Sequence, residues 1–572
     1  MNLARLLQMS PAEIGTRVQQ GLSKRWSSPP ACRLVSSAAA PKFPDLPPLA
    51  SPAPAEKIRR HRFDLLGYTD LDFGTPIDWH FDPVHGKRAP RKPWYEIPFL
   101  DFDQIGDHKI IWELNRHQHL VTLAQAGFRD EILAQWTHWQ HENPYPIGIN
   151  WASTLEAAFR ALSWLWVRHL IGDFHPDLIP ALHLHGWYIE RFLSTYFSPN
   201  THLLGEGVAL FAIGTMCPQI AEARRWQARG WKIVLEQAQC QVRPDGFHFE
   251  QSVYYHIYAL DFFRFARDLA ARNDIPVPPS FEGTIGRMSE AVAVLSQAGR
   301  PPDFGDGDGG RVVGSPARPA FPVTSRPVGG IYTMTSNGSQ LFIDAGPQGA
   351  LTAGHGHADA LSVQLITNGR PVLIDPGTFC YVCPERDRFR GTAAHNTLEI
   401  DGRDQSDPRG PFAWGRLPET TVDAWRPDAA FDLFAGHHDG YRPVVHHRWV
   451  VGLKSGFWLV RDLVTGPGRH RLAIHWHLLD ERDIAILPPI AHNWARSVER
   501  WDWSPVYGKK EPAYVLRFSI ETDLPVEFAV LLVPAEPGTF AQTAPGAYLY
   551  QERDGAQHEF TFTGDRFTYR AV

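Results

Sequence analysis

Apolar residues recur at intervals of three and four from about Trp112 to Leu295, in segments such as STLEAAFRALSWLWVRHLIG and YYHIYALDFFRFARDLAARN. That period predicts a succession of amphipathic helices, separated by short Pro, Gly or Asn breaks. Many antiparallel helices with short links, and no strand alternating with them, point to a bundle or an (α/α) toroid rather than a doubly wound sheet. After Pro301 the period drops to two, and runs such as QLFIDAG, LSVQLITNG, HHRWVVGL, RLAIHWHLL and VEFAVLLVP read as strands of an antiparallel sandwich that continues to the end of the chain. The expected architecture is a multidomain α+β chain. Residues 1–90 carry an N-terminal helix and an extended Pro/Ala-rich segment, 91–310 an incomplete (α/α) toroid, and 311–572 an antiparallel β-sandwich.

The first 26 residues read as a short amphipathic helix capped by Ser10, with Pro11 in its first turn. It lacks the apolar stretch of a secretory signal, so a cytoplasmic location is the default, with a periplasmic or secreted one by another route as the alternative. A packing element is the plain expectation for this helix; the other is a membrane-surface anchor with Arg5, Arg17 and Lys24 on its polar side. Residues Ser27 to Glu56, rich in Pro, Ala and Ser, read as an extended wrapping segment or linker.

Composition narrows the function classes. With 43% hydrophobic and 21% charged residues, disorder is excluded as the main state, and no apolar run is long enough for an integral membrane segment. A formal net charge of −6 argues against nucleic acid as a partner. The 20 Trp, 16 Tyr and 33 Phe suit both cores and sugar-stacking surfaces. Five scattered cysteines do not make a disulfide framework; Cys380 and Cys383 are expected as buried free thiols, since no second CxxC accompanies them.

The densest polar cluster runs from Gly354 to Asp401, where His357, Asp375 and His395 fall between strands and form a candidate N/O/N set for zinc, against the alternative of satisfied core histidines. GDGDGG, from Gly305 to Gly310, lacks a final acidic ligand for calcium and reads as a turn at the domain junction. In the helical half, Asn200 stands where an N-cap is expected. Tyr254, Tyr255, His256 and Tyr258 cannot all face one core, so at least one polar tip should reach a cleft.

The segments NWASTLEAAFR, NTHLLGEG, DGFHFEQSVYYH, GHGHAD, LIDPGT and RFRGTAAHNTLEIDGRDQ, in this order, resemble the heparinase II/III family of polysaccharide lyases and its alginate-lyase relatives. The resemblance implies a toroid-plus-sandwich fold with the cleft between the two parts. It also implies β-elimination on a uronate-containing, glycosaminoglycan-like or exopolysaccharide polymer, yielding unsaturated uronate products. By resemblance, Tyr255 is the Brønsted acid and also the base on a syn substrate, His355 is a second acid/base candidate, and Asn200 and His202 neutralise the carboxylate. Glu206, Gln251, His256, Arg390, Trp151 and Arg160 are implied as supporting or substrate-binding residues. His357, Asp375 and His395 carry over as a structural zinc site, with no organic cofactor. Several relatives have Asn directly followed by His, whereas Thr201 intervenes here, so the contact to the carboxylate is open between Asn200 and His202. Two further functions are weighed: an inverting glycoside hydrolase on an acidic polysaccharide, and a non-catalytic carbohydrate-binding protein of polysaccharide assembly. Oligomeric state has no signature in the sequence.

Overall fold

The computed structural model describes residues 9–26, 28–314, 326–534, 536–564 and 566–572. Several helices begin where a small polar side chain satisfies their first amides. Ser10 Oγ accepts the amide of Glu13 at 3.1 Å at the start of α1 (Pro11–Trp26). Ser153 caps α2 (Thr154–Ile171) by accepting from Glu156. Leu178–Arg191 (α3) precedes α4 (Thr201–Met216), which Asn200 caps, then α5 (Ala223–Cys240). Ser252 caps α6 (Val253–Arg272), and α7 (Pro279–Leu295) closes the helical half. Shorter helices between Phe102 and Glu142 complete an incomplete (α/α) toroid ahead of a β-sandwich.

The toroid packs unusually close between α4 and α5. A Cβ on Gly230 would lie 2.3 Å from the Phe211 amide nitrogen, and one on Gly214 would meet Gln227 N at 2.3 Å, so only glycine lets these helices approach. Around them a continuous core holds Trp79, Trp136, Trp139, Trp151, Trp164, Trp166 and Trp226. The Pro/Ala-rich segment wraps this body in extended form. Phe43 inserts beside Trp166 with ring centroids 4.5 Å apart, and Lys42 N donates to Asn273 Oδ1 at 2.8 Å. The stretch up to residue 90 also holds a helix, Ala53–Arg59, and two short β-hairpins that the period had not revealed.

In α1, Arg17 reaches the Tyr196 carbonyl and Lys24 lies over the Trp94 ring, so its polar side packs on the toroid while Ile14, Val18, Leu22 and Trp26 face outward. The helix thus packs on the toroid by its polar side and leaves an apolar stripe exposed; Arg5 lies outside the described residues.

The β half is three sheets rather than two. An eight-stranded sheet and a six-stranded sheet face each other across a core of Leu341, Val363, Phe434, Val450, Val460, Trp476 and Phe518. A four-stranded sheet, Thr539–Ala544 to Arg566–Ala571, then covers the other side of the six-stranded one, where Leu433, Val451, Leu459 and Leu531 meet Phe540, Tyr548 and Phe560. Covered on both faces, Phe431–His438 and Val526–Val533 are buried along most of their length instead of alternating.

Candidate active site

Two helix starts converge on the loops of the eight-stranded sheet. Ser252 Oγ accepts the Tyr255 amide at 3.1 Å and donates to the Asp306 carbonyl at 2.6 Å, which sets the first turn of α6 against the loop that carries His355. The Tyr255 ring stacks on His355 with centroids 3.9 Å apart, and its Oη lies 2.8 Å from Tyr381 Oη. At the head of α4, Asn200 Oδ1 accepts the His202 amide at 3.1 Å and Asn200 Nδ2 donates to Glu250 Oε1 at 2.6 Å. Thr201 Oγ1 donates to Glu250 Oε2, and Glu250 Oε1 stands 3.6 Å from His355 Nε2. Asn200, His202, Tyr255 and His355 are thus brought together.

Their electrostatics differ. Burial, with Asp308 and Tyr381 adding to it, holds the Tyr255 phenol well above its ordinary value, so the hydroxyl keeps its proton. Burial, helped by the charge of His355, lowers His202 to about 4 and leaves it a neutral imidazole. Burial also works against charge on His355, but its hydrogen bond to Asp306 and the nearby Glu250 outweigh that and raise it.

Asp306 is the hub of the site. Its carboxylate takes His355 Nδ1 and His357 Nε2 at 3.1 Å each and Arg386 in bidentate fashion at 2.5 and 2.7 Å. Burial alone would raise its carboxyl, yet Arg386 and the two histidines hold it well below the usual range. GDGDGG is therefore more than a turn. A Cβ on Gly305, at φ +72°, would lie 2.8 Å from the His355 carbonyl, and Asp308 pairs with Lys109 at 3.1 Å across to the toroid. Alternation of Asp with Gly was the available signal: acidic groups brought where backbone must come close.

Beyond His355, His357, Asp359, Asp375 and His395 each offer one ligand atom, all within 4.8 Å of one another and all buried. His357 spends Nε2 on Asp306 and His395 spends Nδ1 on Asp375 Oδ2 at 3.1 Å, which leaves His357 Nδ1 and His395 Nε2 buried without a partner. Burial pushes Asp375 up to about 7 and raises Asp359, a cost that a cation among them removes. The four residues fit a metal ion, and Asp306 orients the His357 imidazole from outside the ligand set. Asp359 is the candidate ligand that motif reading had left out.

The supporting residues fall elsewhere. Trp151 and Arg160 are buried in the toroid: the Arg160 guanidinium lies 4.4 Å from the Trp139 ring and donates to the carbonyls of Asn115 and Asn150. His256 is buried against Phe247 with its Nε2 at the Met288 carbonyl. Arg390 is buried on Trp414 and bonded to Asp387 and the Gly410 carbonyl, so Arg386, not Arg390, is the arginine that reaches the site. Glu206 turns from the cleft and accepts from Ser194 N and Oγ at 2.7 and 2.6 Å. Gln251 donates to the Gly329 carbonyl and accepts from Arg243. Its φ of +58° swings it away from Glu250, the neighbour that does face Asn200.

Cys380 and Cys383 are joined in a disulfide rather than standing as free thiols, and the loop they close presents Tyr381 to Tyr255. Tyr507 Oη accepts the Tyr381 amide at 2.9 Å and donates to Asp107 Oδ2 at 2.7 Å, which fastens that loop to the toroid.

Comparison with known proteins agrees with this layout. A sequence profile described as heparinase II/III N-terminus matches residues 53–312, and one described as heparinase II/III-like, C-terminal, matches 318–549. A heparin-sulfate lyase of Pedobacter heparinus is 24% identical over 482 residues, 75% of this chain and 68% of that one. A heparin-sulfate lyase of Bacteroides stercoris is 20% identical over 498 residues, covering 74% and 69%. Among solved structures, a heparinase III crystal structure superposes with a TM-score of 0.69 at 15% identity, over 98% of this chain and 95% of that one. A heparan sulfate lyase HepC mutant from Pedobacter heparinus superposes with a TM-score of 0.57 at 19% identity, over 98% and 94%. Those two likenesses speak for the fold; with both profiles matched in order across toroid and sandwich, the chain belongs to the heparinase II/III family of polysaccharide lyases.

Proposed function

We propose that the protein cleaves a uronate-containing glycosaminoglycan by β-elimination, releasing products with an unsaturated uronate at the new non-reducing end. The observation that carries this is the protonated Tyr255 phenol in contact with His355 and Tyr381 beside the Asn200 and His202 helix start. The uronate carboxylate lies against Asn200 and His202, where an amide N–H and a neutral imidazole accept the charge that builds as the C5 proton leaves. Tyr255 gives its proton to the departing oxygen while the C4–O bond breaks and the C4–C5 double bond forms. To act on a syn substrate, Tyr255 first gives its own proton to solvent, an ionisation that a charged His355 against its ring favours; the phenolate then takes the C5 proton, and this is the proton it returns to the departing oxygen.

The heparin-sulfate lyase names of the relatives support a glycosaminoglycan as substrate. An inverting hydrolase needs two free carboxyls across the cleft. Here Glu250 is committed to Asn200 and Thr201, and Asp306 to Arg386. We assign zinc to His357, Asp359, Asp375 and His395 from their N/O donor set; when bound it supplies a cross-link between cleft-lining loops. The Cys380–Cys383 disulfide favours action in an oxidising compartment.

The deciding experiment incubates the purified protein with a panel of uronate polymers and follows ultraviolet absorbance of the products. A lyase yields absorbing unsaturated ends. New reducing ends without absorbance would indicate a hydrolase, and binding without either would indicate a carbohydrate-binding protein.

A further inference from the structure

On the far side of the sandwich, three neighbouring antiparallel strands bring a second set of nitrogen and oxygen donors together. Thr420–Pro427 is the edge strand of the six-stranded sheet, followed inward by Phe431–His438 and Val445–Leu453. His437 and His447 stand directly opposite each other in the register, and the edge strand breaks register between Val422 and Ala424, at Asp423. Asp423 Oδ2 lies 2.9 Å from His437 Nδ1, and the two imidazole rings have centroids 5.2 Å apart.

We propose that Asp423, His437 and His447 form a second, solvent-facing site for a divalent cation that prefers imidazole, such as Zn²⁺ or Cu²⁺. One ligand atom from each lies within 4.8 Å of the others, and donors around a four-coordinate zinc sit roughly 3.3 Å apart, so side-chain movement of about 1 Å closes the set. The frame is firm where it needs to be: His447 Nε2 lies 3.2 Å from Thr465 Oγ1 and its ring stacks on Trp449. Partial exposure of all three residues leaves room for water to fill the remaining positions.

The opposite face of the same strands supplies a contrast. His438, His446 and Asp462 also cluster there, but Arg448 occupies the Asp462 carboxylate with bonds of 2.7 and 3.0 Å, so that trio carries its own cation and is a closed network. The outer Asp423 carboxylate is instead bonded to His437, itself one of the donors. A bound ion would tie the edge strand to two interior ones. That strand follows the segment holding Pro411 and Phe412, which touch Arg386 and the His355 ring.

The test uses tag-free full-length protein stripped with a chelator and reloaded with Zn²⁺, counting equivalents by calorimetry and by elemental analysis after desalting. Wild type takes up one equivalent more than His437→Ala, His447→Gln or Asp423→Asn, and added Zn²⁺ raises the melting temperature of wild type by more than that of the variants. Cu²⁺ loaded in place of Zn²⁺ gives, beside the signal of the buried cluster, a second paramagnetic resonance component that His437→Ala lacks. Equal metal uptake by wild type and Asp423→Asn, a substitution at a half-exposed side chain that keeps its shape, together with equal uptake by either histidine variant, overturns the proposal.

Discussion

Tyr255 and Tyr381 meet hydroxyl to hydroxyl at 2.8 Å across the toroid–sandwich boundary, and Tyr381 is enclosed between two disulfide-bonded cysteines. Replacing Tyr255 by Phe removes the proton and keeps the ring that stacks on His355. Turnover should fall by roughly 10² to 10⁴ with folding unchanged by circular dichroism. Tyr254→Phe is the control: its ring packs beside Gly307, and it should keep most activity. Loss of stability with activity retained in Tyr255→Phe would place the hydroxyl in a purely structural role.

Tyr381→Phe should cost about tenfold in turnover, the worth of one partner hydrogen bond to the reacting phenol. Dithiothreitol should lower wild-type activity towards that of a Cys380→Ser/Cys383→Ser double variant and leave the double variant unaffected. Insensitivity of wild type to the reductant would mean that the loop holds Tyr381 without its disulfide.

Asn200→Ala should lower turnover by roughly 10² to 10³, the usual loss for one donor to a developing anion. His202→Ala should cost less, because Glu250 and the helix start fix the Asn200 amide in place while His202 is not so held. Steady-state kinetics on the preferred polymer decide the order; the reverse order makes His202 the carboxylate contact.

His395→Ala should release the ion of the buried cluster and lower both melting temperature and activity, read by elemental analysis and thermal scanning. Loss of turnover with no change in melting temperature would make the ion catalytic rather than structural.

Glu206 supplies a prediction about pH. Burial raises its carboxyl to about 8 in the folded protein against 4.5 when exposed, although Ser194 pulls the other way. The unfolded chain therefore binds fewer protons than the folded one between those values, and stability falls as pH rises through that window. Glu206→Gln should flatten this slope between about pH 4.5 and 8 and leave turnover untouched, as melting temperatures across the range would show.

The period of three and four, then of two, carries the architecture because burial of one face imposes it. The site was legible where a motif carries the chemistry in adjacent letters, as with His355 and His357 or Tyr255. It was illegible where one backbone angle decides, as between Glu250 and Gln251, or where the partner lies across the interface, as for Asp306 and Arg386. Arg160 and Trp151 show a further ambiguity, since a guanidinium over indoles serves a core as readily as a sugar site. The disulfide escaped notice because Cα atoms 5.9 Å apart depend on how the loop folds, not on spacing.

The four-stranded sheet at the C-terminus has a consequence for where this chain can be cut. The C-terminal family profile stops at residue 549, inside the strand Ala547–Gln551, so a boundary drawn from it would sever the sheet midway. Phe560, Phe562 and Phe567 would be lost, and Leu433, Val451 and Leu531 would face water as a contiguous greasy patch. Such a fragment would keep every residue of the cleft and still tend to precipitate: the cleft and the cover that keeps its sandwich soluble end at different points along the chain.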